Sequence, residues 1–334
     1  MAGPVLVTGG SGFVGGALLE RLVADGHEVR ALARTKDAMA TVEARGARAV
    51  RGDLLDLESL VEAMRGCEVV FHAAGVNVMC ARDPRPMYRA NIEGSGNVVR
   101  AAVATGVRRM VYTSSASAIG EVHGTAGRED SPHRGSYLSH YERSKHLAER
   151  RVLGWGRELG LDVVSVNPSS VQGPGRTGGS ARLLLDLVNG KLPVVVETDL
   201  SIVDIEDCTR GHLLAEANGA PGERYVLNGF TIDVREAVAL LRRLTGRPRK
   251  VRFAPRWLVP AAGELAQAAR TITRKDLPLC REAVRTLLHG HRYDGSRAER
   301  DLGLAYTPME QTVRRTLAWY AERGLAPAPF ETPT

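Results

Sequence analysis

The run Val5-Leu6-Val7, followed at once by Thr8-Gly-Gly-Ser-Gly-Phe-Val-Gly15, constrains this 334-residue chain more than any other feature. Three apolar, strand-favouring residues before a glycine cluster read as a short buried strand. Gly9, Gly12 and Gly15 then lie in a loop that opens a helix over Gly16–Asp25. In that setting the first glycine permits a tight turn and the second lets an anion approach the backbone. The third lets helix and strand pack closely. The free N–H groups and positive dipole end of the helix favour a phosphate there. A dinucleotide is the ligand this arrangement suits.

The same alternation continues through the first half. Glu28–Ala33, Ala47–Arg51, Val69–His72, Arg109–Ser114 and Val163–Asn167 read as strands, with helices at Leu57–Met64 and Tyr88–Thr105 and around Tyr141. Repeated β-α-β-α units predict an α/β, Rossmann-type doubly wound parallel sheet with helices on both faces. After Pro168 the rhythm changes. The loop Gly173–Gly179, a helix at Ala181–Asn189 and a proline-interrupted, mostly helical C-terminal part suggest a smaller substrate-binding cap. The expected division is 1–168 for the dinucleotide-binding part, with Ser201–Asp204 and Arg224–Leu227 within 201–228 returning strands to its sheet. The cap takes 169–200 and 229–328, and 329–334 trail as a loose tail.

Composition excludes several partners. The 43% apolar and 25% charged shares are those of a soluble globular chain, and no apolar run is long enough to span a membrane. Leu258–Ala269 is amphipathic; it reads as the cap's core face, with peripheral membrane contact left open. No basic n-region precedes an apolar stretch, so the expectation is a cytoplasmic protein. The net charge of +7 rests on 45 Lys+Arg, only five of them Lys, with no dense basic run. Nucleic acid is therefore not an expected partner. Cys67, Cys80, Cys208 and Cys280 lie far apart without metal-ligand spacing and are expected to be reduced thiols. His289-Gly-His291 reads as a solvated turn, and no metal is expected.

The end of the second strand bears on which dinucleotide is held. An acid about 20 residues past the glycines would bind a ribose 2′-hydroxyl and repel a 2′-phosphate. Here Arg34 and Lys36 occupy that region, with no acid before Asp37. A guanidinium can clamp a phosphate through two N–H groups. NADP(H) is thus favoured over NAD(H).

Downstream, Tyr141-Glu-Arg-Ser-Lys145 places a phenol and an ammonium on one helix face, one turn apart. With the glycine loop it describes a nicotinamide-dependent oxidoreductase site. The ordered set Thr8–Gly15, Gly52-Asp53-Leu54, His72-Ala-Ala-Gly75, Asn91-Ile-Glu-Gly94, Tyr112-Thr-Ser-Ser115, Tyr141–Lys145, Asn167-Pro168, Gly173-Pro174 and Asp204-Ile-Glu-Asp207 resembles the extended short-chain dehydrogenase/reductase (NAD-dependent epimerase/dehydratase) family. The likeness covers nearly the whole chain. It is nearest the dihydroflavonol-4-reductase-like and hopanoid-associated sugar epimerase-like branch.

That resemblance implies a catalytic Ser115, Tyr141 and Lys145, with Ser115 standing 26 residues before Tyr141. Ser114 and Ser117 compete for the serine role, as a cofactor contact and a substrate-side residue. The cofactor side would comprise Thr8, Gly9, Gly12, Phe13, Val14, Gly15, Arg34 and Lys36, with Asp53 on the adenine amine and Leu54 flanking the base. Ala73, Ala74 and Gly75 would pass the ribose and phosphates, Pro168 and Ser169 would line the carboxamide, and Tyr141 and Lys145 would also touch the cofactor. Asn91 would brace the site, and Asp204 and Asp207 would cap and tie strand ends.

Three reactions remain to be weighed. A nucleotide-sugar dehydratase pattern has Asp-Glu after the catalytic hydroxyl; Ala116-Ser117 stands here and speaks against it. An NAD-dependent nucleotide-sugar epimerase pattern places Asn where this chain has Ser170. The expectation is therefore NADP(H)-dependent reduction of a ketone or aldehyde, or oxidation of the matching secondary alcohol, on a small to medium, fairly apolar molecule. The epimerase is the alternative, and a non-catalytic dinucleotide sensor is disfavoured by the complete Tyr/Lys pair. The pocket would be built from 76–89, 121–139, 173–182 and the cap. A homodimer through Tyr88–Thr105 and Ser139–Leu153 is a further family-level expectation.

Overall fold

Strand β1 (Val5–Thr8) is buried at every residue, which an apolar strand requires when both faces of its sheet are covered. It pairs in parallel with β2 (Val29–Ala33) on one side and β4 (Val69–His72) on the other. The computed structural model describes residues 1, 3–248, 250–273 and 280–330. Among them, β3 (Arg48–Arg51), β5 (Arg109–Thr113), β6 (Asp162–Pro168) and the later β10 (Arg224–Leu227) complete a seven-stranded sheet of order β10-β6-β5-β4-β1-β2-β3. Every pairing in it is parallel. The order reverses between β1 and β4, so a crevice opens at their carboxyl ends.

Helices close both faces. Helix α1 (Phe13–Ala24) buries Leu18, Leu19 and Leu22, one stripe at helical spacing. It packs against the sheet with α8 (Ile205–Asn218), which contributes Ile205, Cys208 and Ala215 to the same core. Each such leucine contributes roughly 2 kcal/mol by burial. On the other face lie α3 (Leu57–Met64), α5 (Ser95–Ala104) and α6 (His140–Leu159), with Leu60, Met64, Val98, Val99, Ala148 and Val152 in a second core. A short α2 (Lys36–Glu43) follows β2. An α4 turn (Arg85–Tyr88) runs through a π-helical stretch, Arg89–Gly94, into α5.

Smaller sheets lie outside this framework. Strand β7 (Ser170–Gln172) pairs with β9 (Asp199–Asp204), which pairs with β11 (Phe230–Asp233); β8 (Val194–Val196) pairs with β12 (Arg252–Ala254). Helices α7 (Ser180–Val188), α9 (Val234–Thr245) and α12 (Met309–Glu322) share a third core around Leu185, Val238, Leu241, Leu317 and Tyr320. Helices α10 (Val259–Thr273) and α11 (Arg281–His289) pack on one another, with Val284 against Gly263. No helix among the described residues is long and apolar enough to cross a membrane.

Four expectations need correction. Arg224–Leu227 does return to the main sheet, but Ser201–Asp204 does not. The free edge of β6 is taken by β10, and β9 pairs with β7 and β11 instead. Leu265 and Ile272 of α10 are 72% and 81% exposed, and Trp257 beside it 76%, so this apolar face is not the cap's core. Cys67 and Cys208 are free and buried, but Cys80 and Cys280 form a disulfide with Cα atoms 5.9 Å apart. Their separation of 200 residues conceals that the loop after β4 meets the start of α11. Glu282 binds the same junction, accepting from Cys80 N at 3.2 Å and His140 N at 2.9 Å. His289 is buried, so His289-Gly-His291 is not a solvated turn. Residues 331–334 of the expected tail lie outside the described residues.

Candidate active site

The crevice between β1 and β4 is formed by backbone packed against backbone. Gly9 has φ +77°, and a Cβ there would lie 2.7 Å from Ala74 N and 2.8 Å from the Ala73 carbonyl carbon. Gly15 enters α1 so close that its Cβ would sit 2.3 Å from Gly9 O. Thr8 Oγ1 accepts from Ala74 N at 3.2 Å and lies 2.6 Å from His72 Nδ1, whose Nε2 lies 2.9 Å from Ser95 Oγ. Because Thr8 Oγ1 already accepts from Ala74 N, its own proton can go to Nδ1, with the His72 Nε2–H then donating to Ser95. Burial and the nearby Lys145 charge push His72 down to about 3, so the ring is neutral and the relay persists at neutral pH. Arg45 Nη1 donates to Gly10 O at 3.1 Å and Gly12 O at 3.3 Å, stapling the loop from behind.

Arg34 emerges just after β2, exposed, with Nη1 3.7 Å from Asp53 Oδ2. The two residues assigned to the adenosine end are thus neighbours. Lys36 opens α2, whose N-cap Thr35 accepts from Ala38 N at 3.2 Å. Asp53 Oδ1 accepts from Leu55 N at 2.9 Å, and Leu54 O accepts from Asn97 Nδ2 at 2.9 Å, fixing the turn after β3. Phe13 and Val14 begin α1, and the Arg176 guanidinium lies 5.5 Å from the Phe13 ring.

Ser115, Tyr141 and Lys145 converge where β5 ends. Ser139 caps α6, accepting from Glu142 N at 3.2 Å, which puts Tyr141 in the first turn and Lys145 one turn on. Ser115 Oγ lies 2.9 Å from Ser117 Oγ, and its hydroxyl is near enough to Tyr141 to pull the phenol pKa down. Lys145 Nζ donates to Thr113 O at 2.7 Å and Tyr112 Oη at 3.3 Å. Asn91, on the π-helical stretch, grips Val76 through both backbone groups, at 2.7 and 2.9 Å, and Nδ2 also donates to Ser144 Oγ at 2.9 Å. Its role here is bracing. Gly75 passes close by: a Cβ there would lie 3.3 Å from Asn91 Oδ1 and 3.9 Å from Lys145 Nζ. Ser114 and Ser169 hydroxyls are buried without a partner among the described residues, beside Pro168 at the end of β6.

Charge is tuned by burial. It pushes Lys145 down to about 8, against an opposing pull from Glu149 one turn along α6. It pushes the Tyr141 phenol up, opposed by the Ser115 hydrogen bond and the Arg176 charge. Glu149 also anchors the sheet. It accepts from Asn167 Nδ2, from Ser165 Oγ at 3.2 Å and from Arg224 Nη1 at 2.9 Å, while Asn167 Nδ2 donates to Ser115 O at 3.1 Å. Sequence reasoning missed Arg45, Glu149 and Arg176. Glu149 had a signal, the i,i+4 step from Lys145; the two arginines had none, since distant loops deliver them. Asp204 caps α8, accepting from Glu206 N at 2.8 Å, and Asp207 accepts from Thr307 N at 2.6 Å, both structural ties.

A model of the NAD dependent epimerase/dehydratase family matches residues 5–227, which hold both the crevice and the Ser/Tyr/Lys cluster. The chain belongs to that family. A putative dihydroflavonol 4-reductase from Synechocystis is 31% identical, over 97% of this chain and 96% of its own length. The crystal structure of gox2253 superposes with TM-score 0.84 at 31% identity, covering 96% of this chain and 99% of that one. The dTDP-glucose 4,6-dehydratase of Streptomyces venezuelae, crystallised with NAD, gives TM-score 0.76 at 25% identity over 97% and 98%. This family member is an NAD(P)-dependent oxidoreductase. The crevice fits such a cofactor: a Cβ would fill its glycine cradle, and two buried hydroxyls lack partners among the described residues. Gly9→Ala should lower stability by about 3 kcal/mol in urea unfolding, from the positive φ and the backbone clash. An unchanged midpoint would mean that the two loops are not in contact.

Proposed function

We propose that this protein uses NADP(H) to reduce a ketone or aldehyde of fairly apolar character, or to oxidise the matching secondary alcohol. The observation that supports the reading is the gathering of Ser115, Tyr141 and Lys145 at the end of β5: the Ser115 hydroxyl holds the Tyr141 phenol down against burial, and Lys145, one helical turn along, donates to Thr113 O at 2.7 Å. When bound, the nicotinamide supplies or accepts a hydride at C4. Gly9, Gly12 and Gly15 receive its diphosphate, and Ser114 and Ser169 offer their unpartnered hydroxyls to the nicotinamide end. Tyr141 Oη–H gives its proton to the carbonyl oxygen. Ser115 Oγ–H donates to the same oxygen and holds it where charge develops. A phenol pushed up by burial stays protonated at neutral pH, as a proton donor must. Lys145, held against Thr113 O, stands ready for the nicotinamide ribose.

Val78, Met79 and Val122 stand exposed on the loops after β4 and β5, on the carboxyl side of the sheet, which supports an apolar substrate. Ala116 and Ser117 supply no acid for water loss after Ser115. The exposed Arg34–Asp53 pair is worth at most about 1 kcal/mol, so Arg34 is free to turn to a 2′-phosphate beside Lys36.

Tyr141→Phe should lower kcat for carbonyl reduction by about 10³ while NADPH affinity changes less than twofold; turnover near the wild-type rate would remove the phenol as donor. Arg34→Asp should turn a preference for NADPH into one for NADH in fluorescence titrations. Equal affinities of the wild-type protein for both nucleotides would remove Arg34 from the argument.

A further inference from the structure

Glu121, His289 and His291 come together in the seam between the loop after β5 and the segment after α11, beside the buried Tyr293, which packs on Ala116 and lies within electrostatic reach of Tyr141. Helix α11 ends at His289, and Gly290, with φ +66°, turns the chain so that both imidazoles reach one carboxylate. The seam is fixed from the backbone as well. Gly127 N donates to Arg292 O at 2.9 Å and Asp294 N donates to Gly127 O at 3.0 Å, while His123 Nδ1 lies 2.7 Å from His289 O.

The hydrogen-bond pattern inside the cluster is unbalanced. Glu121 Oε1 lies 3.2 Å from His289 Nε2 and 2.6 Å from His291 Nδ1, and Tyr293 Oη lies 3.0 Å from that same Nδ1. Two ring nitrogens crowd one oxygen, and one nitrogen faces two oxygens. Meanwhile Glu121 Oε2 is buried with no partner among the described residues. An orphaned carboxylate oxygen in an enclosed place is unfavourable unless something meets it. Arg134 pairs with Glu142, donates to the Glu121 carbonyl at 3.1 Å and attracts the Glu121 carboxylate, yet makes no hydrogen bond to Oε2.

We propose that Glu121, His289 and His291 bind a divalent cation of the zinc class. Two imidazoles and one carboxylate form the three-ligand set that zinc accepts, leaving a fourth position beside Tyr293 Oη. All three ligand atoms lie within 4.8 Å of one another. Zinc bonds of about 2.0–2.1 Å need tetrahedral ligand atoms about 3.3 Å apart, so a small outward shift opens the centre. A cation there engages both imidazole lone pairs and the orphaned oxygen at once. It would clamp the loop that follows Ser115 to the segment after α11.

The test uses the full chain after dialysis against a chelator. Titration with Zn²⁺ alone should show one saturable site per chain, and Mg²⁺, which prefers oxygen donors, should show none. Glu121→Gln and His291→Gln should weaken Zn²⁺ binding at least tenfold, while His27→Gln, in the turn before β2, should leave it unchanged. The wild-type thermal midpoint should rise by about 5 °C with Zn²⁺, a measurement that needs no variant to fold. Absence of saturable binding, equal binding by Glu121→Gln, or identical melting with and without Zn²⁺ overturns the proposal.

Discussion

The structure depends first on the approach of Gly9 to Ala73 and Ala74, where the carboxyl ends of β1 and β4 meet with no room for a side chain. Everything around this contact keeps it in place. The Thr8–His72–Ser95 relay ties β1 to β4 and to the start of α5, and the neutral His72 keeps charge out of the relay. Gly15 lets α1 start directly above the turn, so its first N–H groups face the crevice. Arg45 holds the loop carbonyls from the opposite side.

A second constraint places Ser115, Tyr141 and Lys145. Glu149 is buried and carries a charge that must be answered. Asn167, Ser165 and Arg224 answer it, and Asn167 reaches on to the Ser115 carbonyl. Strands β5, β6 and β10 and helix α6 are therefore joined by one polar network. The same Glu149 opposes the effect of burial on Lys145. Positioning and electrostatics here rest on the same buried carboxylate.

What the sequence made legible follows from what local patterns can encode. The strand, glycine loop and helix near the N-terminus, and the Leu57–Met64 and Val69–His72 elements, are written in short-range periodicity and match the fold. Tyr141 and Lys145 share a helix, so their common face could be read directly. Ser114 and Ser169 were found only through resemblance; their hydroxyls are buried and have no hydrogen-bond partner among the described residues. What local patterns do not encode is which distant segments meet. Cys80 meets Cys280, His289 and His291 meet Glu121, and Arg176 comes within electrostatic reach of Tyr141. The first two pairings are set by how the C-terminal segments fold back, and the third by the loop between β7 and α7. The strand at Ser201–Asp204 was misplaced for the same reason, since a strand's own residues do not say which edge is vacant.

In the proposed reaction hydride passes to a carbonyl carbon and remains there. Incubating the protein with NADPH deuterated at the transferring C4 position and a series of ketones and aldehydes, then locating the label by mass spectrometry, tests this. The expected product is an alcohol one deuterium heavier, labelled at the carbinol carbon, from at least one apolar carbonyl compound, with UDP- and dTDP-sugars unchanged. Conversion of a nucleotide sugar to its epimer, with the cofactor retained and no label passing to any carbonyl compound, would contradict it.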